Sequence, residues 1–267
     1  MKLFRLSPVV LLTALVLGCE LEKERPKPPE PPVPEQKTEA PEPAPAPAPQ
    51  EKTEAPKPPP MDRIKVDVKG KRIEIEGRFC LKEGILDYLA VASGGQEYES
   101  VVALNCNGSR IHSGLLAMGA KPGPTQQLID ELKKNPPKGR KVPERPGTAL
   151  DISFEWKHDG KSYSVPAGRT LFDRGKKKVP EGGYWVFTGS YFAKDLEDET
   201  KEFYMADVDR ALIAVLYTGS AVINFSHDAG NPYAGEDTGY EVNKALVPPE
   251  GTPVKLVITP AKKPTED

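Results

Sequence analysis

Three side chains near residue 100 have the types and spacing of a small acid–base or metal site. Glu97 and Glu99 lie two residues apart just before "SVVAL", so on a strand they would point to one side. His112 follows in "CNGSRIHSGLLAMGAKPG", three residues after Ser109, a good helix N-cap type. At the third position of that helix the dipole disfavours imidazolium, and a neutral imidazole is a base or a metal ligand. The same residues have a plain structural use, in which His112 bonds a carbonyl or carboxylate and fixes a strand–helix junction. His158 in "KHDG" reads as a hairpin turn. His227 opens a polar loop, 227–251, whose oxygen-rich residues lack EF-hand spacing.

The cysteines offer a second chemistry. The chain has three, Cys19, Cys80 and Cys106. If Cys19 is modified in a secreted protein, Cys80 and Cys106 form one pair in an oxidising compartment, and a disulfide between them is expected. Two buried free thiols are the alternative. No G-x-S-x-G, H-E-x-x-H, C-x-x-C, P-loop or post-strand G-x-G-x-x-G occurs. No catalytic residue, cofactor or metal is therefore assigned. Near-balanced charge, 37 basic against 39 acidic side chains, argues against a nucleic-acid footprint.

The N-terminus says where such a site would work. Met1–Cys19, "MKLFRLSPVVLLTALVLGC", has a basic start and an apolar run too short to span a bilayer. Its end resembles the lipobox of bacterial lipoproteins, with Gly18 before the cut and Cys19 as the acylated residue. Residues 20–60 hold half of the chain's 30 prolines and repeat Lys-Thr-Glu-Ala-Pro at 37–41 and 52–56. So few large apolar residues cannot offset the ordering entropy, and a disordered, extended stand-off arm is expected. Glu20, rather than Asp, after the acylated cysteine points to the outer membrane of a Gram-negative host.

The elements that must position the candidates come next. "IKVDV" and "RIEIEG" alternate around "KGK" as a hairpin. "EGILDYLAVA" has helical spacing, "ESVVALN" is a strand, and "SRIHSGLLAMGA" is a helix burying Ile111, Leu115 and Met118. Leu128–Lys134 reads as a weaker helix, and 135–147 as a loop and subdomain seam. The second half reads as strands, with a hairpin at Asp159-Gly160, a bend at Gly189 and a continued strand pattern through "EFYMADVDRALIAVLY". The expected class is α+β, with mostly antiparallel mixed sheets and two or three short helices in the N-terminal half. The expected domain is 61–260, with a flexible tail at 261–267.

"CLKEGILDYLA", "EYESVVAL", "IHSGLLAMGAKPG", "YWVFTGSYF" and "PPEGTPVKLVI" resemble the YdjY-like domain family of bacterial envelope proteins. The resemblance spans most of residues 64–260 and implies a secreted or lipid-anchored protein of a family with no characterised activity. Some members carry a ferredoxin-like label, but a four-cysteine cluster needs four thiolates. Where members often have His-Glu, this chain has Tyr98-Glu99. The expected function is a membrane-anchored, non-catalytic binding or assembly module with an envelope protein partner. The alternative is a metal- or redox-linked accessory protein using Glu97, Glu99 and His112, or the Cys80–Cys106 pair.

Overall fold

A computed structural model describes residues 60–123, 147–227, 229–234 and 237–261. The leader with Cys19, the arm up to residue 59, the helix expected at 128–134, the seam at 135–146 and the tail from 262 lie outside these residues.

Strand-forming sequence dominates what is described. In order come β1 (Ile64–Asp67), β2 (Arg72–Phe79), β3 (Ile85–Leu86), β4 (Tyr88–Ala92), β5 (Ser100–Leu104) and helix α1 (Gly108–Ala117). Then follow β6 (Ala149–His158), β7 (Lys161–Pro166), β8 (Leu171–Asp173), β9 (Trp185–Phe187), β10 (Phe192–Lys194) and β11 (Glu202–Tyr204). The last are α2 (Met205–Val208), β12 (Ala211–Ala214), β13 (Ile223–Phe225), β14 (Tyr240–Val242) and β15 (Pro253–Pro260).

The main sheet closes on itself. Its order β2-β15-β6-β9-β13-β12-β4-β5 returns to β2 through the pairing Gly77↔Leu104, Arg78↔Ala103 and Phe79↔Val102, forming an 8-strand barrel. Neighbours are antiparallel except β4–β5 and β12–β13. Residues alternate along β6, with Leu150, Ile152, Phe154 and Trp156 buried. An eight-stranded barrel is just wide enough for side chains to fill, and Phe79, Phe154, Phe187 and Phe225 do so here. The β6–β7 hairpin turns at Asp159 and Gly160, both with left-handed φ of 47° and 71°, as the sequence pattern requires.

The expected α+β class is therefore wrong. The protein is mostly β, with 41% strand and 12% helix, and α1 and α2 are the two α-helices among the described residues. The main cause is "EGILDYLAVA", which forms β3 and β4 instead of a helix. β4 is buried at every residue because β5 and β12 flank it, one face meets the barrel core, and Tyr88 and Val91 pack with Ala211, Ala214 and Ala221. A strand buried on both faces shows no alternation, and periodicity cannot separate it from a buried helix. Conversely, "EFYMADVDRALIAVLY" is no continuous strand pattern, since α2 interrupts it.

α1 does bury Ile111, Leu115 and Met118. Its N-cap is Asn107 rather than Ser109, without a side-chain cap. The Ser109 amide instead donates to Asp207 Oδ1 at 2.8 Å, so a carboxylate from α2 satisfies a free N–H at the start of α1.

Candidate binding cleft

Glu97 and Glu99 lie on a 3-10 turn before β5, not on the strand itself, so the expected same-side alternation does not apply. Glu97 accepts from Arg78 Nη2 at 2.6 Å and from the Gly94 amide at 2.8 Å. Glu99 accepts from Gln96 Nε2 and from the Tyr233 hydroxyl, both at 2.9 Å. His112 has other neighbours. Its Nδ1 lies 2.6 Å from Tyr204 Oη, and its ring meets Phe187 and Tyr204 edge-on at 5.0 and 5.5 Å. The structure does not bring the three together, and no group of three or more His, Cys, Asp or Glu among the described residues is placed to hold a metal ion.

Tyr204 Oη donates its one proton to the Gly189 carbonyl at 2.8 Å, so His112 Nδ1 must be the donor in the bond to Tyr204. His112 thus ties α1 to the end of β11 and to the bend at Gly189-Ser190, where both residues have left-handed φ of 91° and 57°. Burial holds the His112 pKa below its ordinary 6.5, opposed by the Gly189 carbonyl. The unfolded chain therefore takes up this proton first. Stability should be complete above pH ~6.5 and fall as pH drops through the window between that value and the folded pKa. Urea midpoints measured from pH 7.5 to 5 should show this slope, and His112→Gln should flatten it.

The expected Cys80–Cys106 disulfide is also absent, and both residues are free thiols. The β2–β5 register explains why. Phe79 faces Val102 and Gly77 faces Leu104, so Cys80 falls opposite Val101 and Cys106 would fall opposite Ile75. Five residue steps along a strand are about 17 Å, while a disulfide needs Cα atoms within about 7 Å. Cys80 Sγ donates to the Ser100 carbonyl at 3.1 Å, and Cys106 is fully buried. Burial pushes both thiols up to about 12, with Glu97 adding to the effect at Cys80 and Asp207 at Cys106. Reaction with a thiol reagent at pH 8 should be slow for Cys80 and should await unfolding for Cys106, with both residues reacting at once in denaturant.

A different group of residues converges beside Glu97. β4 ends at Ala92, and Ser93-Gly94-Gly95 turns the chain back toward β5. Facing this turn, α2 is C-capped by Asp209, and Arg210 leads into β12. Arg210 has φ of 55°. That is the left-handed position just beyond a helix C-cap, where glycine is the usual residue. A non-glycine residue held there costs about 1–3 kcal/mol. The Arg210 carbonyl accepts from the Ala92 amide at 2.9 Å, which holds the backbone in place. Its Nη1 donates to the Ser93 carbonyl at 2.6 Å and sits 2.5 Å from where a Gly94 Cβ would be. Gly94, at φ 83°, is thus required both by the turn and by the guanidinium laid over it.

Arg210 and Gly94 are shared by two adjoining clefts. One, of about 520 Å³, is lined by Tyr88, Gln96, Asp209, Thr218 and Ser220. The other, of about 540 Å³, is lined by Arg78, Ser93, Glu97, Asn107 and Asp207. The first cleft is rich in uncharged donors and acceptors. The second is bounded by the Arg78–Glu97 ion pair and by Asp207, whose carboxylate is committed to α1.

A family model, the YdjY domain, matches residues 64–259, which takes in every barrel strand but the last residue of β15, both helices and Arg210 and Gly94 between the clefts. The chain belongs to the YdjY domain family. No curated protein and no solved structure matches it. Of the expected candidates in this YdjY domain, Glu97 is the one that lines either of these two clefts. Arg210 and Asp209 carry no motif in "ADVDRALIAV", and only the Gly94-Gly95 pair hints that something approaches the backbone there.

Proposed function

We propose that this YdjY protein is a lipid-anchored envelope protein whose barrel works as a non-catalytic binding module, held off the membrane by its Pro-rich arm. The observation that carries the binding reading is Arg210. It stands in a strained backbone position, it borders two open clefts, the first of them mainly polar, and it has no carboxylate partner among the described residues. Strain of this kind persists where the surrounding structure over-determines it, and it collects at ligand clamps. The tether rests on the leader, Cys19 and the composition of residues 20–60. Acyl chains on one cysteine give lasting attachment, at about 0.8 kcal/mol per buried CH₂.

Two measurements test the reading. Cys19→Ser should stop palmitate incorporation and release the chain from the membrane fraction. Photocrosslinking of the full chain in envelope extract, with the photoreactive residue at Gln96, should give an adduct that Arg210→Gln removes. An adduct pattern indifferent to Arg210 would count against the cleft as the binding surface.

A further inference from the structure

The smaller cleft carries two opposite charges that the protein leaves unmatched. Arg210 spends one Nη1 hydrogen on the Ser93 carbonyl, and among the described residues neither Arg210 nor Asp209 takes part in an ion pair. Two nearby arginines are paired, Arg78 with Glu97 at 2.6 Å and Arg110 with Asp62 at 3.0 Å. Tyr88, Gln96, Thr218 and Ser220 complete the lining without adding charge. Thr218 and Ser220 bond each other through their hydroxyls at 3.2 Å, which leaves further lone pairs for a ligand.

From this arrangement we infer that the cleft binds a free amino acid or short peptide as its zwitterion, the carboxylate on Arg210 and the ammonium on Asp209. The inference rests on the cleft reading given above and narrows it to a ligand class. A simple anion would meet Arg210 but face Asp209, and a simple cation would meet the reverse. Only a ligand with both signs gains at both ends. Guanidinium suits a carboxylate because its planar fork presents parallel N–H groups to two oxygens. A volume of about 520 Å³ takes a ligand of a few residues. The uncharged lining supplies hydrogen bonds for a peptide unit between the two ends.

The test is a titration of the isotope-labelled full chain with alanyl-alanine, followed by amide shifts at Gly94, Gly95 and Gln96. Saturable shifts are expected for the zwitterion. N-acetyl-alanyl-alanine and alanyl-alanine amide should each bind about tenfold or more weakly, since each loses one charged hydrogen bond. Arg210→Gln and Asp209→Asn should weaken the parent dipeptide by a similar factor. Arg210→Gly suits the left-handed backbone, so it should keep the wild-type melting temperature while losing affinity. Equal binding of the blocked dipeptides, or full affinity in Arg210→Gly, overturns the inference. Envelope extract added to the same sample separates the two levels. Shifts from extract but none from alanyl-alanine overturn the ligand class and leave the cleft standing, and no shifts from either overturn both.

Discussion

Gly77→Val is expected to destabilise the barrel severely. Gly77 sits where β2 changes partner along one edge, from β1, last paired at Ile75, to β5, first paired at Leu104. On its other edge it pairs with Val254 of β15. A Cβ at this residue would overlap the Ala103 carbonyl oxygen and lie 2.8 Å from Leu104 Cδ2 and 3.0 Å from Leu104 Cα. Two of those three atoms are backbone, which cannot swing aside as a side-chain end can. Relief requires parting β2 from β5, and that seam is the pairing that closes the barrel. Glycine inside a strand marks this kind of close approach. The loss should exceed about 3 kcal/mol, which for a domain of this size lowers the melting temperature by roughly 10 °C. Gly168→Ala is the control, because nothing lies within 4 Å of its Cβ position. A Gly77→Val protein that melts with the wild type would mean the barrel is not closed at this seam.

The residues at this seam also show what could be read from sequence. β1, β2, β6 and β7 were legible because their hairpins keep one face toward water, so their residues alternate or their turn carries the required glycine, while β5 and β15 were legible as short β-branched apolar runs between turn signals. α1 was legible because its apolar stripe has helical period. β4 was not, since burial on both faces erases the pattern. Barrel closure was not, because it depends on β2 meeting β5 as well as its hairpin partner, and nothing local encodes that pairing. The misplaced disulfide follows directly. Cysteine count and the expected compartment favour a bond, but register alone decides whether two strands bring sulfurs together, and here it sets them at opposite ends. The acid–histidine cluster failed for a like reason. Glu97 and Glu99 left the strand for a 3-10 turn, and His112 turned toward Tyr204. Arg210 was invisible because its significance lies in a backbone angle and a missing partner.

Phe79→Ala should be among the most damaging side-chain truncations in the core. Phe79 is fully buried at the end of β2, with its ring centroid 5.7 Å from Phe154 and 5.4 Å from Trp156. These three rings come from strands β2 and β6, the two neighbours of β15, so they meet over the inner face of β15. Removing one leaves a void beside the two others, and Trp156 is already held by stacking on Tyr163 at 4.8 Å. A buried Phe→Ala change costs about 3–5 kcal/mol, partly as lost transfer energy and partly as cavity. Urea denaturation should show a lower midpoint with an unchanged slope, because the surface exposed on unfolding is nearly the same. Cys106 supplies a second readout inside the same core cluster. Its thiol reacts only when the barrel opens, so its labelling rate tracks the population of open molecules. A loss of about 3 kcal/mol should raise that rate roughly a hundredfold. If the midpoint falls while Cys106 labelling stays at the wild-type rate, β5 and the start of α1 do not open together with the aromatic cluster. The barrel would then consist of two cooperative units, not one.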